Sequence, residues 1–261
     1  MMRVFIEGIG LVGPGLVGWA SSRAVLAGLA PYEVRPVRPP PVAMLPPAER
    51  RRAGLTIRLA IAAGVEALAQ AGRDPIDMPL VCAASGGDGE TIHETLAALA
   101  TQQREVSPTR FHNSVHNAPS GYWAVATGSR LPSISLSAFD GSFAAGLLEA
   151  AVQATVHDHP VTLIAYDVPY PEPLHAARPI SSIFGVALVL IPHRTERALA
   201  GLTVAMAEAV LPETRMADTA LEQVRVGNPA ARVLPLLAAL ARAETGTMHV
   251  DGIDIELTSL C

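Results

Sequence analysis

Apolar residues follow two alternating rhythms along the chain. Short, nearly continuous apolar runs bounded by glycine, proline or polar residues read as buried strands: Met2–Glu7, Met78–Ser85, Val161–Tyr166 and Ser182–Ile191. Between them apolar positions recur at helical spacing. Leu55–Ala71 predicts an amphipathic helix ended by Gly72, and the small residues of Ser120–Thr127 predict another ended by Gly128. Near the end, Pro229–Ala243 predicts one amphipathic helix, and His249–Leu257 alternates like an edge strand or hairpin. Strands interleaved with helices predict an α/β fold, as one large domain or two small ones. The proline-rich stretch from Pro36 to Pro47 reads as an extended surface loop.

The pattern is densest between Ser107 and Ala151. Here a loop leads to the Ser120–Thr127 helix, a short buried strand over Ser133–Ala138, a break at Asp140-Gly141, and a helix whose face carries Phe143, Leu147 and Ala150. A strand that turns abruptly into a helix presents one side chain at the helix's positive end, where nucleophiles gain acidity and oxyanions meet free N–H groups.

Half of the residues are hydrophobic and 16% are charged, which a large buried subunit interface explains together with the alanine content. A formal charge of −5 argues against general nucleic-acid binding. The chain has no lysine, which excludes lysine Schiff-base chemistry and a Walker lysine. Two cysteines, Cys82 and Cys261, fall short of a disulfide framework, and neither a signal-peptide pattern nor a membrane-length apolar run is present. These features fit a cytoplasmic protein.

Several local motifs invite sharper readings. Gly8, Gly10 and Gly13 spell G-x-G-x-x-G in a turn after the first strand, with Glu33 placed like a ribose-binding acid, but Pro14-Gly15 and the proline-rich stretch break the unit that should follow. Cys82 lies inside a strand and reads as packing. His112 and His116 stand four apart in a loop-like segment without a third ligand, so no metal is expected. His157-Asp158-His159 reads as a solvated turn. Arg50-Arg51-Arg52 reads as a solvated helix start or as a landing site for an acidic carrier protein.

The run PSIS, its elbow and the small-residue helix after it resemble the nucleophile segment of β-ketoacyl synthases, enzymes of the thiolase fold. Further likenesses are Gly8, Gly10, Val12 and Pro14 as G-x-G-x-V-x-P, the second helix ending in Gly72 before an Asp-Pro turn, SGGDGETIHETL as a glycine-rich turn and helix start, and FGVALVLI as a late core strand. In that helix Thr91 or Glu90 is the expected cap, with Ile92, Leu96 and Leu99 facing a core or tunnel. An ungapped match from Pro132 puts the family's cysteine nucleophile at Asp140, and the family's two histidine motifs, H-G-T-G-T and N-x-F-G-F-G-G-x-N, do not occur. Aspartate is a poor substitute for a thiolate, because attack on a thioester would give a reactive mixed anhydride.

The resemblance therefore implies a thiolase-like α/β fold with layered helices, a mixed sheet and a shortened C-terminal part. Residues 1–192 would form the ketosynthase-like domain and residues 193–261 a short extension capping one face of the sheet. The likeness extends to the chain length factor of aryl polyene pigment clusters. It implies a non-catalytic subunit without cofactor that pairs with a full-length β-ketoacyl synthase, works with an acyl carrier protein, and shapes the partner's polyene tunnel. By matching, Arg110, Phe111, His112, Ser114, Val115, His116 and Asn117 line that interface, Gly121 shapes the interface helix, and Phe139 and Phe143 flank the tunnel. Two other readings stay open. One is an independent hydrolase or acyltransferase using Ser142 or Asp140 with His112 or His116; the other is a structural homodimer.

Overall fold

The first strand and the Leu55–Ala71 helix lie at the centre of the computed structural model, which describes residues 1–260; Cys261 lies outside them. Strand β1 (Met2–Gly13) does not stop at Glu7 but runs straight through the glycine pattern. The reason is packing. Helix α3 (Leu55–Ala71) crosses so closely that a Cβ on Gly8 would sit 2.1 Å from the Ala67 carbonyl oxygen, and one on Gly10 would sit 1.9 Å from that of Ala63. A bulge between Ile6 and Gly8 shifts the alternation, so Val4, Ile6, Ile9 and Leu11 all face the same core while the glycines face α3. These glycines admit a helix, not a pyrophosphate, which agrees with setting the dinucleotide-binding reading aside.

Around this pair the chain builds a nine-stranded mixed sheet. After β1 come the short β2 (Leu16–Val17), α1 (Trp19–Leu26), the extended loop and α2 (Pro47–Arg52), then α3. Strand β3 (Leu80–Ala83), α4 (Gly89–Leu99), α5 (Pro108–Asn113), α6 (Ala118–Thr127), β4 (Ser133–Leu136) and α7 (Ser142–His157) follow. Next are β5 (Val161–Asp167), α8 (Leu174–Ala177), β6 (Phe184–Ile191) and β7 (Ala200–Met206). The chain closes with α9 (Thr219–Gly227), α10 (Leu234–Arg242) and the hairpin β8 (Gly246–Val250) and β9 (Ile253–Thr258). The strand order is β4-β3-β5-β6-β1-β7-β9-β8, with β2 paired to β1. Strands β4, β3 and β5 are parallel, and the remaining pairings are antiparallel.

Helices cover both faces. One core lies under α1, α7, α9 and α10, the other under α3 and α6. Buried on both sides, β5 and β6 carry no solvent-facing position, which is why they read as unbroken apolar runs. Beyond Ile6, β7 no longer accompanies β1, and side chains of α3 take over: Ile9 N–H donates to Gln70 Oε1 (2.6 Å) and Leu11 N–H to Glu66 Oε2 (2.9 Å).

Four local expectations change. The segment after Pro192 does more than cap a face, since β7, β9 and β8 lengthen the sheet while α9 and α10 cover one side of it. Pro229–Ala243 is not one helix; a 3-10 turn over Pro229–Val233 precedes α10 because Pro235 is tolerated only in a helix's first turn. Strand β4 is a partly exposed edge rather than a buried strand. Helix α4 is capped by Asp88, whose Oδ1 accepts from Thr91 N–H at 3.0 Å, and its Leu96 and Leu99 are exposed rather than core.

Candidate functional site

The C-terminal ends of the three parallel strands converge on one spot, the usual location for chemistry in such sheets. Strand β3 delivers Ser85, β5 delivers Asp167 and β4 leads into the elbow. Ser85 donates from both N–H (2.9 Å) and Oγ (2.6 Å) to Asp167 Oδ1, and Ser137 Oγ donates to the Ser85 carbonyl at 3.0 Å. Burial pushes the Asp167 carboxyl up to about 7 against these bonds and the nearby Arg178 charge.

The elbow is a 3-10 turn, Phe139–Gly141, between β4 and α7. Ser142 stitches it: its Oγ accepts from Ala138 N–H (3.0 Å) and donates to the Phe139 carbonyl (2.7 Å). Ser142, the buried first residue of α7, thus has its hydroxyl engaged within the elbow. Phe139 takes a positive φ of 53°, a conformation that side chains seldom adopt, and stays 62% exposed.

Asp140 is held by two guanidinium groups. Arg178 Nη2 lies 2.6 Å from its Oδ1 as an ion pair without a directed hydrogen bond, and Arg232 Nη2 lies 3.7 Å from Oδ2. Arg232 also donates from Nη1 to Asp251 Oδ1 at 2.7 Å, which joins the elbow to the terminal hairpin. Burial raises the Asp251 carboxyl to about 6; Arg232 opposes this, while Glu213 and Asp140 add to it. A carboxylate engaged by two cations has its electron pairs committed to charge pairing and is a weaker nucleophile still. Arg178, Arg232 and Asp251 went unrecognised in the sequence because no motif marks them.

The segment expected to cross a subunit interface is partly helical. On α5, Arg110 pairs with Glu94, Phe111 is 69% exposed, and His112 meets the Tyr122 ring edge-on at 6.4 Å. Ser114 Oγ donates to the Phe111 carbonyl at 2.8 Å, Val115 is exposed, and His116 Nε2 lies 3.4 Å from the Ala84 carbonyl oxygen. The Asn117 carbonyl accepts from Ser120 Oγ at 2.9 Å. Asn113, which no sequence signal singled out, is the buried anchor: Nδ2 donates to the Arg52 carbonyl (2.9 Å) and Oδ1 accepts from Tyr122 Oη (3.1 Å). Gly121 is exposed, and a Cβ there would meet nothing within 4 Å.

These elements carry exposed apolar side chains: Leu96 and Leu99 on α4, Phe111 on α5, Val125 on α6 and Ile134 on β4. Phe143 is instead wholly enclosed in the core under α7. Cys82 is buried, and burial pushes its thiol up to about 12, which keeps it an inert packing residue. The three arginines are all exposed; Arg50 bonds the Ala43 (2.8 Å) and Leu45 (2.9 Å) carbonyls and Arg52 pairs with Glu49 at 3.0 Å. His112 and His116 belong to no group of three metal-ligating side chains among the described residues, and no described helix is long and apolar enough to cross a membrane.

The fold recurs in solved structures. A chain from the complex of a ketosynthase (ApeO) with its chain length factor (ApeC) from Xenorhabdus doucetiae superposes with a TM-score of 0.72 at 23% identity, over 99% of this chain and 100% of that one. The ishigamide ketosynthase/chain length factor matches with a TM-score of 0.67 at 16% identity, over 98% of each chain. A β-ketoacyl synthase from Burkholderia phymatum matches with a TM-score of 0.60 at 15% identity, over 94% of this chain and 71% of that one. No curated protein sequence matches the chain. The family described as "Beta-ketoacyl synthase, N-terminal domain" matches residues 19–250. That span begins after the G-x-G-x-V-x-P likeness and runs past Pro192, where the recognisable motifs stop, to the end of β8. A match over most of its length makes this chain a member of the β-ketoacyl synthase family, through that family's N-terminal domain.

Proposed function

We propose that the chain is a non-catalytic chain length factor that pairs with an active, full-length β-ketoacyl synthase and shapes the channel that receives the growing acyl chain. The observation that carries this reading is Asp140, an acid clamped by Arg178 and Arg232 on the elbow where the family places its cysteine. The likeness to chains from ketosynthase complexes with chain length factors supports it. The partner would dock on the apolar surface of α4, α5, α6 and β4, with Gly121 allowing close approach. Residues 1–192 would supply this surface and residues 193–261 would brace the elbow from behind. All three arginines of the basic cluster are exposed, and Arg51, whose side chain is tied to no acid or carbonyl among the described residues, is the best placed for an acidic acyl carrier protein. The narrower assignment is to cytoplasmic aryl polyene synthesis.

Co-expression with a full-length ketosynthase tests this. Co-purification at equal stoichiometry, with condensation abolished by removing the partner's cysteine and retained in Asp140→Ala, is the expected result. A self-sufficient homodimer that ignores every ketosynthase offered would sink the proposal.

A further inference from the structure

A phenylalanine that stays mostly exposed at a positive φ needs something to fix its ring, and Arg178 is in place to do so. The Arg178 Cζ stands 3.7 Å from the centre of the Phe139 ring, at full stacking contact. The same guanidinium pairs with Asp140, so one cation grips two successive side chains of the elbow. Arg178 is itself well held. Its side chain is only 20% exposed, and its backbone N–H closes α8 by donating to the Leu174 carbonyl (2.9 Å). Behind it, Asp140 approaches Arg232, and Arg232 is locked to Asp251. The ring therefore has one face on a braced cation while the side chain as a whole remains open to solvent.

We propose that Arg178 is a positioning residue for chain-length control: it presents the Phe139 ring in one fixed orientation, as a wall against which an apolar acyl chain in the partner's channel comes to rest. This rests on the chain length factor reading and adds to it the residue that sets the wall. Phe139 follows β4, the bare sheet edge, after two residues, so a partner seated there would meet the ring. A planar guanidinium is needed, since it can stack on a ring and pair with a carboxylate at once; an ammonium is a compact point charge that cannot present a face.

The test uses the complex with the ketosynthase and two readouts. The first is the 19F resonance of 4-fluorophenylalanine placed at position 139, which reports the stack whatever the ring's role. The second is chromatography of the products. Arg178→Lys is expected to shift and narrow the 19F resonance. It should also raise the fraction of products one extension longer by about two- to fivefold, the factor corresponding to loss of one exposed cation–π contact. Phe139→Ala gives the reference distribution for an absent wall. An unchanged resonance, or a changed resonance with unchanged product lengths in an assembled complex, overturns the proposal. Should Arg178→Lys fail to assemble, Phe139→Leu decides: it keeps an apolar side chain but no ring to stack, and unaltered product lengths overturn the proposal. Failure of the parent chain to bind any ketosynthase is a separate result that overturns the chain length factor reading itself.

Discussion

Replacing Asp140 with alanine separates a structural carboxylate from a catalytic one. The side chain is 43% exposed, whereas those of Arg178 and Arg232 are 20% and 16% exposed. Breaking a fully buried pair from one side costs about 3–5 kcal/mol, and an exposed pair is worth about 0–1. Asp140 lies between these limits. Arg232 keeps Asp251, so only Arg178 loses its main ion pair, and the solvent reaching Asp140 discounts the rest. The loss of a negative charge just before α7 adds a few tenths of a kcal/mol. The sum is about 1–2 kcal/mol, a fall in Tm of about 2–8 °C for a chain of this size. Differential scanning of the assembled complex measures it, and the Asp140→Ala, Arg178→Met pair with their double variant isolates the coupling, expected near 1 kcal/mol. Condensation by the same complex should be largely kept. Complete loss of condensation in a complex that assembles and melts as expected refutes the non-catalytic assignment, and an unchanged Tm refutes the clamp.

Other perturbations test neighbouring features. Phe143→Ala removes a ring from the middle of the core and should cost about 3–5 kcal/mol, read as a lowered denaturation midpoint; Phe111→Ala, on the exposed face, should leave the midpoint within about 0.5 kcal/mol while lengthening the products. Ile134→Glu puts a charge on the bare edge and should abolish co-purification with the ketosynthase while leaving the circular dichroism spectrum unchanged. Asp167 has its folded pKa raised to about 7, so the folded state holds a proton that the unfolded state releases near pH 4. Its contribution is fully present below pH 4 and is lost as pH rises to 7. Asp251, raised to about 6, acts in the same direction. Asp167→Asn should therefore flatten the fall in stability across that window, as urea melts at pH 5 and pH 8 would show; an equal fall in both proteins removes Asp167 as the cause.

Local signals carried the strands and helices well where one segment decides its own state. Leu55–Ala71 was readable to both ends because its apolar face and the left-handed Gly72 are properties of the segment alone. The glycines of β1 misled for an equally physical reason. In sequence a glycine reads as a turn, whereas Gly8 and Gly10 serve a helix that arrives many residues later. Whether β4 is central or at an edge depends on strand order, which no short window contains. The elbow was placed correctly by its break at Asp140-Gly141, yet its partners Arg178, Arg232 and Asp251 come from three distant loops and helices. Arginines in unremarkable surroundings acquire a role only when the fold brings an acid to them.

The two edges of the sheet are treated differently, and the difference bears on assembly. An open edge invites pairing with another chain, so proteins cover such edges unless pairing is their purpose. At β8 the edge is closed from within: Thr214 N–H donates to the His249 carbonyl and His249 N–H donates to Thr214 Oγ1, each at 3.0 Å. At β4 the outer side carries no strand among the described residues, Ser133 and Ile134 are exposed, and the adjoining helix α6 offers an exposed Gly121. One sealed edge and one bare, accessible edge are what the proposed pairing on a single side would require. Because Phe139 follows β4 after two residues, any partner on that edge also meets the elbow. Under the proposed pairing, docking and the placement of the ring would both depend on this strand, and a substitution that moves β4 should change assembly and product length together.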